Sequence, residues 1–492
     1  MAVNSADDAA SRPRMINAGS AATRGAFAAS EWGGFFITHD PPHPQAWHTY
    51  ILLPCADLPL LVFHFAQPPL QRSVEWMRER VEELKGRVRT MFSDDSVAEA
   101  VTLMDSLECL GVDGHFREEI ESAISRIVHP DESAGSDDLH VVATRFRLLR
   151  QHGIWVSTDA LDNFRDGMGN FKASLSSDPR ALLSLYNAAH MAVPAKGELR
   201  SPLAEQVACA LDHPLPRFTR LLETMYYVGE YAREETHDNT LLELARLNSH
   251  LMRSLHLREL KALSLWWRDL YDTVNLPYTR DRMVEVYFWS CGMIPEEEHS
   301  RARLMFAKTF GLVTFLDDTY DVHATLEECH SFTEAMQRWD DSAVSILPEY
   351  LRMPYIKTLS NFKDFENMLK PHEKYRMSYA RKAIGRFLND ISSYKLGKNK
   401  KDVASIAECY MVEKGTTGEE AVASIAAMTE DSWRTMNQAC MATDRVLLPA
   451  AQLVVNIARS NEVIYLRGRD GYTFGSHVKD LVTMLFLAPI PL

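Results

Sequence analysis

From Arg72 to the C-terminus, nearly every segment of this 492-residue chain repeats its apolar side chains at helical spacing, with short polar or proline-marked breaks between segments. The alternating β-branched runs that a half-buried strand needs are essentially missing. Such a chain buries its apolar stripes helix against helix, so the expected fold is all-α. The pattern predicts helices over 74–92, 97–110, 117–127 and 138–151, then further ones to about 233. Beyond that it predicts 241–272, 280–293, 296–318, 326–340, 350–369, 372–396, 404–412, 418–442, 447–465 and 476–486. No repeat of about 20–50 residues recurs, which favours a bundle enclosing a cavity over a solenoid.

The length exceeds what one ordinary core can hold. A polar break at 234–240 marks the expected boundary: residues 1–30 form a disordered lead segment, 31–236 an N-terminal domain and 237–492 a second domain. The net charge of −14 and the lack of any basic stripe exclude a nucleic-acid partner. The window 50–66 is apolar but short and broken by two prolines, so no stable membrane insertion is expected. Seven scattered cysteines, never at C-x-x-C spacing, indicate neither a disulfide framework nor a zinc site and fit a cytoplasmic setting. Asp7, Asp8 and the missing apolar core exclude a secretory signal and make a plastid address the weaker reading.

Chemistry concentrates at Leu316-Asp-Asp-Thr-Tyr-Asp321. If the helix continues, Asp317 and Asp321 fall one turn apart on one face. Hard divalent cations such as Mg²⁺ bind carboxylates together with substrate phosphates. A solvated acidic helix end is the alternative, but the apolar run 306–316 would bury this turn. Downstream, Arg386, Asn389 and Ser393 follow at turn-by-turn spacing, a cation and two oxygen ligands, or else groups that satisfy local backbone. Upstream, Arg280 and Arg282 open a helix two turns before Trp289, a place suited to phosphate oxygens or to a solvated cap. Near the end, Tyr465, Asp470 and Tyr472 form an aromatic and acidic loop, which can stabilise a carbocation or merely edge the core.

Taken in order, Arg280/Arg282, the aspartate motif, Asn389-Asp-Ile-Ser-Ser393 and Asp470-Gly-Tyr-Thr473 resemble the class I plant terpene synthases, most of all the cytosolic sesquiterpene synthases. Trp32-Gly-Gly-Phe-Phe36, the Trp266-Trp267 pair, Tyr287-Phe-Trp289 and the closing Leu487-Ala-Pro-Ile-Pro-Leu492 extend the likeness over most of the chain. The resemblance implies an N-terminal α-barrel domain and a C-terminal class I bundle. It also implies a monomer that ionises a prenyl diphosphate, farnesyl diphosphate above all, with Mg²⁺ or Mn²⁺. By that analogy Asp317, Asp318, Asp321, Asn389 and Ser393 hold metal, and Arg280, Arg282 and Arg386 take the diphosphate. Trp289, Tyr465 and Tyr472 match the family's cavity aromatics and Asp470 a loop acid.

Three departures point to an alternative, a catalytically impaired relative that binds Mg²⁺ and diphosphate weakly or not at all. Gly397 stands where the second metal motif ends in glutamate, flanked by Lys395 and Lys398. The interval from Asp317 to Asn389 is short for the family, with the loss placed between Ala383 and Gly385. Residues 43–67 look inserted.

Overall fold

A computed structural model describes residues 27–39, 73–93, 96–128, 138–165, 171–172, 175, 178–191, 215–319, 323–338, 340–368, 405–488 and 490. Among them are α-helices, short 3₁₀ turns and a single isolated bridge, Arg165 to Phe171, with no strand. The all-α expectation holds.

The first half contains a short turn, α1 (Phe35–Thr38), then α2 (Val74–Met91), α3 (Val97–Cys109), α4 (Arg117–Val128), α5 (Leu139–Gln151), α6 (Pro179–Ala189) and α7 (Arg220–Tyr231). Side-chain caps fix where these helices begin: Ser73 accepts from Trp76 N, Ser96 from Glu99 N and Asp178 from Ala181 N. The apolar stripes of α2 to α5 and the end of α7 close over a core that includes Leu84, Met104, Leu107, Phe116 and Leu148, each fully buried, while α6 packs on α5 in a separate cluster around Phe146 and Leu185.

A 36-residue helix, α8 (Asn239–Val274), links the halves. Asp238 caps it, accepting from Thr240 N and Leu241 N, and Asn275 ends it in the left-handed conformation. Leu241 to Leu247 belong to the first core, whereas Leu257, Leu260, Leu263, Trp267 and Leu270 belong to a second. The polar break at 234–240 therefore precedes the place where the two cores separate, inside α8.

The second half continues with α9 (Met283–Met293), α10 (Ser300–Asp318), α11 (Leu326–Arg338), α12 (Glu349–Met368), α13 (Ile406–Lys414), α14 (Gly418–Ala442), α15 (Leu448–Ile464) and α16 (Lys479–Phe486). Capping boxes, Ser405 with Glu408 and Thr417 with Glu420, start α13 and α14. Among the described residues no helix is long and apolar enough to cross a membrane. The predicted helix over 372–396 and the segment 43–67 lie outside the described residues.

Candidate active site

Helix α9 starts at Met283, later than the sequence pattern suggests. The reason lies in the preceding turn, where Asp281 accepts from Trp267 Nε1 of α8 at 2.8 Å and Arg282 sits at φ −133°. Arg280 and Arg282 are thus drawn out of the helix and held beneath its N-terminus, both buried.

Arg280 is the centre of the site. Its backbone N–H donates to Asp318 Oδ2 at 2.7 Å, and its Nη2 reaches Asp317 Oδ2 at 2.5 Å and Asp318 Oδ1 at 2.8 Å. Its guanidinium lies over two rings, Tyr472 at 4.9 Å and Phe27 at 5.0 Å. Burial opposes its charge, but Tyr472, Asp318 and Asp317 outweigh that and push its pKa up. Arg282 is paired differently: it donates to the carbonyls of Asp281 (2.8 Å), Ala28 (2.9 Å) and Thr473 (3.0 Å). Carbonyls carry no net charge, so these hydrogen bonds do not neutralise Arg282, a local cation of the kind an anionic ligand needs in an acidic protein.

The aspartates close α10, and its last turn separates their roles in space. Asp318 is fully buried with both oxygens turned to Arg280; Asp317 has a side chain 51% exposed. Asp321, Arg386, Asn389, Ser393 and Gly397 lie outside the described residues. Among the described residues no three His, Cys, Asp or Glu side chains assemble into a metal-binding group. The donor chemistry nonetheless suits a hard cation: Asp317 presents a half-exposed carboxylate with one oxygen on Arg280.

Behind Arg280 three aromatic rings pack against one another. Trp289 meets Phe310 at 4.8 Å and Tyr472 at 5.9 Å, and Phe310 meets Tyr472 edge-on at 5.6 Å. The Tyr472 hydroxyl bonds Thr314 Oγ1 on α10. Burial pushes both the Tyr472 and Tyr465 phenols well up, so each stays neutral. Asp470, itself buried, accepts from Tyr472 N at 3.0 Å and Thr473 N at 2.8 Å, so its carboxylate shapes the loop. Gly471 allows that turn, because a Cβ there would stand 2.8 Å from the Ile464 carbonyl and 2.3 Å from Val478 Cγ1.

The structure brings Arg280, Arg282, Asp317, Asp318, Asp470 and Tyr472 into one corner, with Trp289 just behind it. Tyr465, the residue after α15, packs part-buried against the same core. Sequence reasoning missed Phe310 and Thr314, although they stand two turns and one turn before Asp318 on the same helical face. It also missed Phe27 and Ala28, and gave no contact to Thr473 of the loop motif; their contacts with the arginines span long sequence separations and have no local signal.

Two family models match the chain: "Terpene synthase, N-terminal domain" over residues 61–204, and "Terpene synthase family, metal binding domain" over 268–384 and 376–435. The second match is in two pieces that meet where the shortened interval was placed, and the first begins within the segment read as inserted. The chain is similar to eudesmanediol synthase of Zea mays, 50% identical over an alignment covering 94% of this chain and 96% of that one. The alignment spans 558 residues, more than this chain has, so the relative carries residues missing here. Tau-cadinol synthase of Zea mays is 36% identical, covering 92% and 97%. Isoprene synthase from grey poplar leaves superposes with a TM-score of 0.74 at 25% identity, covering 87% of this chain and 99% of that one. A further structure of that enzyme, with the same TM-score and identity and covering 85% of this chain, contains three Mg²⁺ ions and dimethylallyl-S-thiolodiphosphate.

Proposed function

The chain belongs to the terpene synthase family, and we propose that it is a cytoplasmic, monomeric sesquiterpene synthase that ionises farnesyl diphosphate with Mg²⁺. The observation that carries this reading is the Arg280 corner. A buried guanidinium, a second one hydrogen-bonded to carbonyls, and a half-exposed carboxylate stand in front of a cluster of aromatic rings. Residues 31–236 serve as scaffold and 237–492 as the catalytic domain.

Asp317 and Asp321 offer the oxygens of the first metal face. Asp318 anchors Arg280 beside it. By the family resemblance Asn389 and Ser393 would add further metal ligands and Arg386 a further diphosphate contact. Bound there, a hard divalent cation would neutralise a departing diphosphate and so favour breaking the allylic C–O bond. Arg280 and Arg282 hold the leaving group by charge-assisted hydrogen bonds. Asp470 fixes the loop that lays Tyr472 against Arg280. Trp289, Tyr465 and Tyr472 exclude water from the allyl cation and stabilise it through their faces.

A second reading, a relative that binds without turning over, is favoured by Gly397 and by the two-piece match of the metal-binding model. One assay separates the two: purified protein with Mg²⁺ and farnesyl, geranyl or geranylgeranyl diphosphate, followed for pyrophosphate and volatile products. The proposal expects both from farnesyl diphosphate. Neither from any substrate would establish the second reading.

A further inference from the structure

The turn that carries Arg280 is joined to the end of α10 by two bonds in register. The Arg280 N–H donates to Asp318 Oδ2 at 2.7 Å, and two residues earlier the Tyr278 hydroxyl meets Thr319 Oγ1 at 3.0 Å. Thr319 gives its own proton to the Phe315 carbonyl at 2.5 Å, so Tyr278 is the donor of that pair. The turn under Tyr278 is itself held: Thr279 N–H donates to the Leu276 carbonyl at 3.0 Å, and the Tyr271 hydroxyl of α8 donates to the Thr279 carbonyl at 2.9 Å. Ala324 N–H in turn donates to the Thr319 carbonyl at 2.9 Å, and beside it the His323 imidazole lies flat on the Tyr278 ring, with centroids 4.0 Å and planes 6° apart. The imidazole also meets the Tyr350 ring of α12 edge-on at 5.2 Å. Tyr350 packs part-buried against the second core and against the small core of α11 and α12.

His323 is exposed and Tyr278 only part-buried, so burial gives this stack little reason to exist. What it restrains is the end of α10, where the half-exposed Asp317 carboxylate reaches Arg280. A half-exposed side chain keeps much of its freedom, and its aim then depends on how firmly the turn beneath it is held. We propose that Tyr278 and His323 are positioning residues, a clamp that fixes the end of α10 against the Arg280 turn and so holds the Asp317 carboxylate and the Arg280 guanidinium in register for a divalent cation and a diphosphate. The inference rests on the terpene synthase reading given above and deepens its site. Both residues act through Asp317 and Arg280, Tyr278 by its hydroxyl and ring plane, His323 by its plane.

The test reads binding as well as turnover. Mn²⁺ is titrated into the full chain with inorganic pyrophosphate present, and bound ion is followed by electron paramagnetic resonance. Pyrophosphate release from farnesyl diphosphate is measured against Mg²⁺ in parallel. Tyr278→Leu and His323→Ala should raise the metal concentration at half-saturation about 10-fold or more in both measurements, the scale of a lost positioning contact at a metal site. Tyr278→Phe and His323→Phe keep the stacked planes and should stay within about threefold of the parent. A contact that served stability alone would lower the urea midpoint and leave half-saturation of the folded protein unchanged. That result in Tyr278→Leu and His323→Ala would overturn the inference, as would equal shifts in the phenylalanine variants. Should Tyr278→Leu fail to fold, the exposed His323→Ala decides alone. Binding by the parent without release, with the variants shifted as expected, leaves the clamp standing and removes the synthase reading. Release by the parent with no such shift does the reverse, and neither binding nor release overturns both.

Discussion

Both halves of the molecule bury clusters of charge, and they treat them in opposite ways. In the first half Arg147 pairs with Asp105 and Glu108, Arg220 with Asp113 and His152 with Glu108. No buried polar atom of these six residues lacks a partner. Burial alone would raise the Glu108 carboxyl, yet His152, Arg147 and Arg220 hold it at about 2. At the site, the Nε atoms of Arg280 and Arg282, both oxygens of Glu285 and the Nε1 of Trp289 are buried without a hydrogen-bond partner among the described residues. Folding pairs these atoms of the first cluster, whereas the second keeps hydrogen-bonding capacity for a ligand or water at the site.

The contrast can be broken most forcefully in the first half. Arg147→Ala leaves Asp105 and Glu108 without their buried cation and should lower unfolding free energy by about 3–5 kcal/mol, read from the urea midpoint. Activity per folded molecule should hold. Asp317→Ala should do the reverse, slowing pyrophosphate release about 10²–10³-fold. Because Asp317 is half-exposed and Asp318 still pairs with Arg280, its unfolding free energy should fall by only about 1 kcal/mol.

Glu285 sharpens the comparison by pH. Burial raises its carboxyl to about 7 from 4.5, so across that window the folded state keeps a proton that the unfolded chain has released. The parent should lose stability as pH rises through the window, by up to about 3 kcal/mol. Glu285→Gln cannot ionise and should lose none of this, which urea melts of both proteins from about pH 4 to about pH 8 would check. The smallest effect is expected from Tyr472→Phe. It removes the hydroxyl bonded to Thr314 but keeps the ring under Arg280, for a loss of about 1 kcal/mol in the same melts.

Helix registers were legible because periodicity and caps are local. The predicted 418–442 matches α14, and α8 starts two residues before the predicted 241–272 and ends two after it. The start of α9 was not legible, because Trp267 draws Asp281 away from the helix through a tertiary hydrogen bond. Within the site, residue types and order pointed to Arg280, Arg282, Asp317, Asp318 and Tyr472, which the structure brings into one corner, whereas Asp321 and Arg386 lie outside the described residues. Partner choice was hidden: nothing local says that Arg282 donates to Ala28, 254 residues away, or that Asp318 is buried on Arg280 while Asp317, bonded to the same guanidinium, stays half-exposed. Phe310 and Thr314 were recoverable by stepping back from Asp318 in fours.

The central claim, that the Arg280 corner releases a diphosphate, is tested most directly by pyrophosphate release from farnesyl diphosphate at saturating Mg²⁺. The comparison is between the parent and an Asp317→Ala/Asp321→Ala double variant that its melting shows to be folded. The account predicts steady release by the parent and none above background from the variant. Equal release by both, or none by the parent, would contradict it.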